Sequence, residues 1–245
     1  MENTFLISLS HLTSLRREME IIANNLANTN TDAFKSEEPL FREMISPTAD
    51  GGSAAPDVTF TTDYGTVRDM RIGDLLRTGN RLDVALGNDG YFAVQRDTGK
   101  AFTRDGNFKL TNTGELTTSD GYKVLDSVMQ PIIFPQGSEL PEIAKDGTIS
   151  VGGVTLQRLG VFKFENPAAM KKGGDNLYTT DEQETPVPSS GVKIIQGSVE
   201  ASNVQPVLEI TRMIDVMRKY QTANQMIETG DDMVRKAIDQ LSRIR

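Results

Sequence analysis

Few residues of this chain could carry out catalysis or hold a metal ion. His11 is the only histidine and cysteine is absent, which excludes a thiolate metal site, a cluster of histidine ligands and a Ser–His triad. Asp105, Asp120 and Asp146 each lie in a short turn, but none belongs to the twelve-residue pattern of a calcium loop. We therefore predict a protein that is not an enzyme and that has no cofactor and no metal site.

One enzymatic alternative stays open at this stage. A hydrolase acting on peptidoglycan could use two of the turn carboxylates, provided that they lie about 5–10 Å apart in a cleft. The chain contains no tryptophan, so the sequence gives no sign of an aromatic-lined groove for a sugar chain. A structural role is the stronger prediction.

The charge distribution argues against nucleic acid as a partner. The net charge is −8, and residues 1–45 and 204–245 have balances of −3 and +1, which leaves −6 for residues 46–203. Binding to phosphates requires clustered Lys and Arg, and no basic run exceeds two residues. Residues 1–20 carry charges where a signal peptide needs an apolar core, and no apolar stretch is long enough to span a membrane.

The N-terminal end carries a helical apolar pattern. Phe5, Leu12, Met19 and Leu26 are spaced by seven residues, and neither proline nor glycine occurs before Pro39. The pattern predicts an amphipathic helix over residues 3–28 that ends in the following Asn-rich stretch, because Asn and Asp compete for backbone hydrogen bonds.

The C-terminal end repeats the pattern over a longer stretch. Its members are Met213, Tyr220, Ile227, Val234 and Leu241. The repeat of seven predicts a helix that tolerates Pro206 in its first turn and continues to about Arg243, with a coiled-coil surface. Ser202 or Asn203 is expected to cap it. At 1.5 Å per residue the helix would be roughly 57 Å long, more than a domain of this size covers by itself.

Between the two helices the apolar period changes to two. From residue 82 to about 178, short β-branched and aromatic segments alternate with Gly- and Asp-containing turns, which predicts antiparallel hairpins. The fold class is therefore α+β, with long terminal helices that pair as a coiled-coil-like domain and an inserted, mainly antiparallel β domain. The predicted parts are 1–35 (N-terminal helix), 36–81 (extended connection), 82–190 (β domain) and 191–245 (return segment and C-terminal helix).

Five segments resemble the sequences of bacterial flagellar axial proteins, the rod and hook subunits. Ile22–Lys35 resembles their N-terminal signature, and Gly197–Val204 followed by Met213–Gln221 resembles their C-terminal signature. Thr103–Phe108 and Leu116–Leu125 are similar to the middle of rod proteins. The resemblance thus includes both ends and most of the β domain.

Chain length narrows the choice within this family. Hook subunits usually carry larger inserted domains, and the short rod proteins lack the β domain. The total length and the opening Met-Glu-Asn-Thr-Phe favour a proximal rod subunit, with a distal rod subunit as the alternative. Ala33 stands where distal subunits typically have glycine.

The resemblance implies a function and a set of partners. Subunits would assemble helically into the drive shaft of the flagellar basal body, which transmits motor torque to the hook and filament. The helices would form an inner layer and the β domain an outer one. Partners would be copies of the same chain, neighbouring rod subunits, the surrounding rings and the flagellar type III export apparatus, which exports subunits without a cleaved signal peptide. The resemblance also implies a location in the rod, which spans the periplasm.

We expect the assembly contacts to lie on the two helices and on the signature segments beside them. The expected residues are Phe5, Leu12, Met19, Asn24, Asn25, Leu26, Asn28, Phe34, Ser202, Asn203, Met213, Tyr220, Ile227, Val234 and Leu241. Asn24 and Asn25 border the apolar row, and a buried amide fixes the alignment of helices because it tolerates only arrangements that satisfy its hydrogen bonds.

Overall fold

A computed structural model of the chain describes residues 2–46, 58–135, 137, 140–180 and 185–243. The side chains of residues 2–6, 45–46, 58–60, 189, 237 and 241–243 lie outside this description, as do residues 47–57 of the predicted extended connection. The two α-helices of the described chain are α1 (Glu2–Ala27) and α2 (Pro206–Arg243).

Eighteen strands lie between the helices in the described residues. They are β1 (Glu37–Ser46), β2 (Val58–Arg68), β3 (Leu75–Arg77), β4 (Val84–Leu86), β5 (Tyr91–Arg96), β6 (Gly99–Thr103), β7 (Phe108–Leu110), β8 (Leu116–Thr118), β9 (Lys123–Val124), β10 (Glu142–Ile143), β11 (Thr148–Val151), β12 (Val154–Arg158), β13 (Val161–Lys163), β14 (Lys171–Lys172), β15 (Leu177–Thr179), β16 (Thr185–Pro186), β17 (Ile194–Gln196) and β18 (Ser198–Glu200). Short 3₁₀ helices lie at Pro167–Ala169 and Ser189–Gly191.

The chain divides into two compact units. The first, which we call the helical unit, consists of Met1–Ala27, Glu37–Arg68 and Val204–Arg245. The second, the β unit, consists of Asn28–Ser36 and Asp69–Asn203. The chain therefore passes from one unit to the other four times.

The helical unit combines α1 and α2 with a two-stranded antiparallel hairpin. In this hairpin β1 pairs with β2 from Glu37 opposite Arg68 to Ser46 opposite Val58, with a bulge between Leu40 and Phe41. A bulge adds one residue to one strand and increases the local twist. Both helices and the hairpin contact one another within this unit.

The β unit is built around a nine-stranded antiparallel sheet. Its main path runs β14-β15-β6-β5-β9-β8-β7, with β13 pairing both β5 and β16. A three-stranded sheet, β10-β11-β12, and two strand pairs, β17-β4 and β18-β3, complete the described strands of this unit. Every pairing in these sheets is antiparallel.

The central strand β5 is buried on both faces. Phe92 and Val94 point into one apolar cluster of the β unit, while Tyr91 and Ala93 point into a second one. Since successive side chains of a strand point to opposite faces, a run of four apolar residues is what burial on both sides requires. The second cluster is aromatic, and Phe102 contacts its neighbours there edge to face.

The predicted α+β class is confirmed, as are both helices and the antiparallel hairpins between residues 82 and 178. The structure adds the hairpin β1–β2 and strand β3, where the sequence predicted only an extended connection. The predicted cap of α2 is wrong. The first helical hydrogen bond runs from the Glu209 N–H to the Gln205 carbonyl, and Pro206 takes the first helical position, which needs no N–H donor.

Candidate assembly surface and the buried polar contacts

An apolar cluster joins α1 to α2 within the helical unit. Leu15, Ile22 and Val216 are buried at its centre, and Met19, Met213 and Tyr220 pack around them half-buried. The helices thus meet through the predicted apolar rows and their immediate neighbours. Beyond Tyr220, the described side chains of α2 are half-buried or exposed.

Asn25 is a buried polar link between α1, β1 and α2. The residue is only 1% exposed. The amide Nδ2 donates to the Glu37 carbonyl at 2.8 Å and to Glu209 Oε2 at 3.4 Å, and Oδ1 accepts from the Glu37 N–H at 3.0 Å. Because groups on two other segments, β1 and α2, satisfy this amide of α1, only one alignment of the three segments leaves no buried polar group unpaired.

The exposed side of α2 carries an apolar stripe. Val207, Ile210, Ile214 and Met217 lie at intervals of three and four residues and therefore share one face of the helix. Their exposed fractions are 75, 46, 46 and 46%. We call these four residues the α2 stripe. The stripe lies beside the face that packs on α1, so its side chains are available for contact with another molecule.

Three charged side chains form a buried network in the β unit. Lys35, Arg104 and Glu200 have side chains that are 0, 3 and 0% exposed. Lys35 Nζ lies 2.5 Å from Glu200 Oε1, and Arg104 Nε lies 2.6 Å from Glu200 Oε2. One carboxylate thus pairs with two cations.

Backbone groups satisfy the remaining donors and acceptors of this network. Lys35 Nζ also donates to the Arg71 carbonyl, and the Arg104 guanidinium donates to the Gly90 carbonyl at 2.8 Å. The Gly73 N–H donates to Glu200 Oε1 at 3.1 Å. A buried ionic network keeps its charges only when its hydrogen bonds are complete, and here they come from five separate segments. Burial lowers the pKa of Lys35 from its ordinary value, and Glu200 opposes this shift.

The segment that leads into Lys35 adopts a backbone conformation that glycine favours. Ala33 has a φ of +57° and is buried, and its N–H donates to the Glu200 carbonyl at 2.7 Å. An Ala in the left-handed region costs about 1–2 kcal/mol relative to its usual conformations. The hydrogen bond and the burial of the methyl group offset this strain.

Several aspartates of the β unit lie close enough to repel one another. Burial raises the pKa of Asp105 to about 6, and the charges of Asp32, Asp120 and Asp83 add to the shift, while the Asn107 N–H lowers it.

Among the described residues no group of three or more His, Cys, Asp or Glu is arranged to hold a metal ion.

The predicted site residues differ in how far they are buried. Leu12, Asn25 and Phe34 are buried, and Asn24 is exposed. Those that are half-buried or at the edge of exposure are Met19, Leu26, Asn28, Ser202, Asn203, Met213, Tyr220, Ile227 and Val234. Phe5 and Leu241 lie in the helices, but their side chains are outside the described part of the structure.

The structure brings some of these residues together. Met19, Met213 and Tyr220 meet in the cluster between the helices. Asn203 accepts from the Ser36 N–H at 2.8 Å and donates to the Asp69 carbonyl at 2.8 Å, so its side chain connects segments of the β unit instead of capping α2.

Sequence reasoning missed the buried ionic network and the α2 stripe. Lys35, Arg104 and Glu200 all lie inside the segments that resemble flagellar proteins, so the resemblance already contained them. The stripe was visible as the apolar residues Val207, Ile210, Ile214 and Met217 at helical spacing, beside the row of seven-residue repeats.

Comparison with known proteins gives matches along most of the chain. Residues 5–35 match the family described as flagella basal body rod protein, residues 85–151 match the flagellar hook protein FlgE/F/G D1 domain, and residues 195–240 match the flagellar basal body rod FlgEFG protein C-terminal family. These ranges contain all three residues of the ionic network.

Individual relatives match over nearly their whole length. The flagellar basal-body rod protein FlgF of Caulobacter vibrioides is 37% identical, with 100% of both chains covered. FlgG of Bacillus subtilis is 32% identical over 94% of this chain and 96% of its own length, and FlgF of Rhizobium meliloti is 29% identical over 100% of both. The chain therefore belongs to the flagellar basal-body rod protein family, whose members are structural proteins and not enzymes.

No described helix has a window apolar enough to cross a lipid bilayer.

The ionic network should be essential to the stability of the β unit. Glu200→Gln leaves Arg104 and Lys35 buried without their counter-charge, which should lower the free energy of unfolding by about 3–5 kcal/mol. Urea unfolding followed by near-ultraviolet circular dichroism, which reports the packed aromatic rings, measures this loss. The exposed Glu142→Gln is the matched control and should change stability by less than about 0.5 kcal/mol. Equal effects of both variants would contradict the prediction.

The same variant should respond to pH in a defined direction. Folded Lys35 already has a lowered pKa because it is buried, and loss of Glu200 removes the interaction that opposes this shift. The unfolded chain then binds the proton more tightly than the folded chain, so the stability of Glu200→Gln should rise as the pH increases toward 10.5, the ordinary pKa of lysine.

The buried amide of Asn25 should stabilise the helical unit. Asn25→Leu leaves the Glu37 N–H and carbonyl without their partner, which should lower the free energy of unfolding by about 2–4 kcal/mol and weaken assembly. Thermal unfolding followed by far-ultraviolet circular dichroism and swimming in soft agar measure the two effects. Asn24→Leu, at the exposed neighbouring position, is the control for unfolding alone and should change the free energy of unfolding by less than about 0.5 kcal/mol. If Asn25→Leu unfolds at the same temperature as the unchanged protein and its strain swims normally, the proposed role of Asn25 is contradicted.

Proposed function

We propose that this chain is a subunit of the proximal rod of the flagellar basal body. It assembles helically with copies of itself and with neighbouring rod subunits into the drive shaft that transmits motor torque to the hook and filament. The FlgF relatives, which match over their full length, support this assignment.

The physical support for assembly is the α2 stripe. Its four side chains keep about half or more of their surface in water, and burying them against a neighbour stabilises a contact by about 25 cal/mol for each Å² of apolar area. A contact between unlike surfaces of identical subunits repeats without closing and produces a helical polymer. Stiffness then comes from many moderate contacts made at once.

We assign the predicted assembly residues two different roles. The residues with exposed surface, such as Asn24, Ile227 and Val234, would contact neighbouring subunits directly. The buried ones, such as Leu12, Asn25 and Phe34, would act by fixing the geometry of the subunit. Phe34 also lies 4.9 Å below the ammonium group of Lys172, which stabilises its position in the β unit.

A distal rod subunit is the second candidate. The match to FlgG of Bacillus subtilis, at 32% identity over most of both chains, favours it nearly as much as the FlgF matches favour the first. Either subunit would lie in the part of the basal body that spans the periplasm, with the surrounding rings as further partners. The subunit would reach this position by export through the flagellar type III apparatus.

The position of the subunit along the rod tests the proposal. An epitope inserted at the exposed Gly152–Gly153 turn of the β unit should leave a deletion strain motile when the tagged chain is supplied. Gold-labelled antibody on purified basal bodies should then mark the rod at its inner-membrane end. Label at the outer end would instead support the distal rod, and a motile strain without label in basal bodies would overturn the assignment to the rod.

The α2 stripe should be needed for incorporation but not for folding. Ile214→Asp places a charge on a face that is in water in the free chain and buried in the assembly, so incorporation into basal bodies should fall at least about tenfold. Quantitative immunoblotting of purified basal bodies measures this loss. Thr222→Asp adds the same charge on another exposed face of α2 and is the matched control. Unaltered circular dichroism of the purified variant excludes a folding defect, and normal incorporation of Ile214→Asp would contradict the role of the stripe.

A further inference from the structure

One edge of strand β3 has no partner strand among the described residues of the β unit. The Asp74 carbonyl accepts from the Ala201 N–H, and the Thr78 N–H donates to the Gly197 carbonyl, each at 2.8–2.9 Å, so these peptide groups face β18. In an antiparallel pair the bonding direction alternates along the strand. The peptide groups of Leu75 and Arg77 therefore face the opposite edge of β3, where the described β unit places no strand.

The other side of this strand pair is already covered. Ala33 donates its N–H to the Glu200 carbonyl at 2.7 Å, which closes the outer edge of β18. The pair β18–β3 consequently has a single open edge, and that edge belongs to β3. A two-stranded sheet gains stability when a further strand is added.

The open edge is apolar and basic. Ile72, Leu75 and Leu76 are all exposed, Leu76 by 53%, and β3 presents apolar side chains on both faces. Residues 72–81 contain Arg77 and Arg81 and one acidic residue, Asp74, a balance of +1. Native proteins usually protect an edge of this kind, because it is a template for pairing with another strand.

The hairpin of the helical unit has the complementary properties. Strand β1 carries three Glu and one Arg, a balance of −2, and its residues Leu40, Phe41 and Met44 are exposed. The residues Phe41 to Met44 are exposed in succession, so both faces of this part of the strand are in water. Pro39 is also typical of an edge strand.

We propose that strand β1 of one subunit adds to the open edge of β3 in a second copy of the chain. Every subunit carries both an acidic apolar ribbon and a basic apolar edge, so the contact passes from copy to copy and continues along the polymer. Main-chain hydrogen bonds would supply affinity, and the opposite charges would supply specificity. The inference rests on the proposed assembly of the chain into a rod.

Disulfide trapping tests the pairing directly. Since the chain has no cysteine, any disulfide must form between introduced residues. One copy carries Leu76→Cys and one epitope tag, and a second copy carries a different tag and a single Cys in place of Phe41, Arg42, Glu43 or Met44. Both copies are expressed together, and the basal bodies are purified, oxidised and examined for dimers that carry both tags.

Strand pairing predicts an alternating result. Successive side chains of β1 point to opposite faces, so two of the four positions, separated by two residues, should give dimers and the other two should give at least about fivefold less. Val128→Cys, at a more exposed position of the β unit, replaces Leu76→Cys in the control and should give no alternation. Uniform or absent cross-linking in basal bodies that contain both copies would overturn the inference and leave the rod assignment intact. Absence of both copies from basal bodies would instead contradict the rod assignment.

Charge exchange gives an independent test. Arg77→Glu and Glu43→Arg should each lower incorporation into basal bodies by up to about fivefold, because each places like charges across the proposed strand pair. The chain with both substitutions should regain most of the loss, since the opposite charges meet again. Glu142→Arg, on β10, is the control for added positive charge. A double variant that shows the product of the two single losses would refute the pairing of β1 with β3.

Discussion

The structure of the β unit depends on one buried carboxylate. Glu200 holds Lys35 and Arg104 where no water solvates them, and backbone groups of Arg71, Gly73 and Gly90 complete the hydrogen bonds. Buried ionic groups contribute little net stability when complete, but each becomes costly when its partner is removed. The network therefore specifies a single arrangement of the segments that carry it, because every other arrangement leaves a buried charge unpaired.

The position of this network in the chain explains its importance for a subunit with long terminal helices. Lys35 lies a few residues after α1, and Glu200 lies a few residues before α2. The Asn203 side chain and the Ala33 N–H bind the same two segments to each other. The two points where the chain leaves the β unit, Ser36 and Asn203, are thus held side by side. In the helical unit, Asn25 has a similar role, because its hydrogen bonds hold α1 and α2 against the start of β1.

The sequence predicted what local periodicity determines. The seven-residue apolar rows predicted both helices, and alternation with turn residues predicted the β region. It could not predict the network, because 165 positions separate Lys35 from Glu200 and pairing at that distance leaves no periodic signal. The hairpin β1–β2 was missed because its exposed strands mix charged and apolar residues without a regular alternation. Asn203 was predicted as a helix cap from its residue type, but its side chain binds Ser36 and Asp69 instead. Tertiary packing determines which of these hydrogen bonds forms, and residue type alone does not reveal it.

Buried polar groups and exposed apolar groups have different roles in this chain. Where a polar group must be unique, as at Glu200 and Asn25, the chain buries it with complete hydrogen bonds. Where the surface must bind another molecule, as at Ile214 on α2 and Leu76 on β3, it leaves apolar side chains in water. Such exposure lowers the solubility of a free subunit, although charged residues lie beside the apolar ones on both elements. A shaft needs this combination, because a subunit must be rigid in itself while its contacts stay individually weak and become strong only in number.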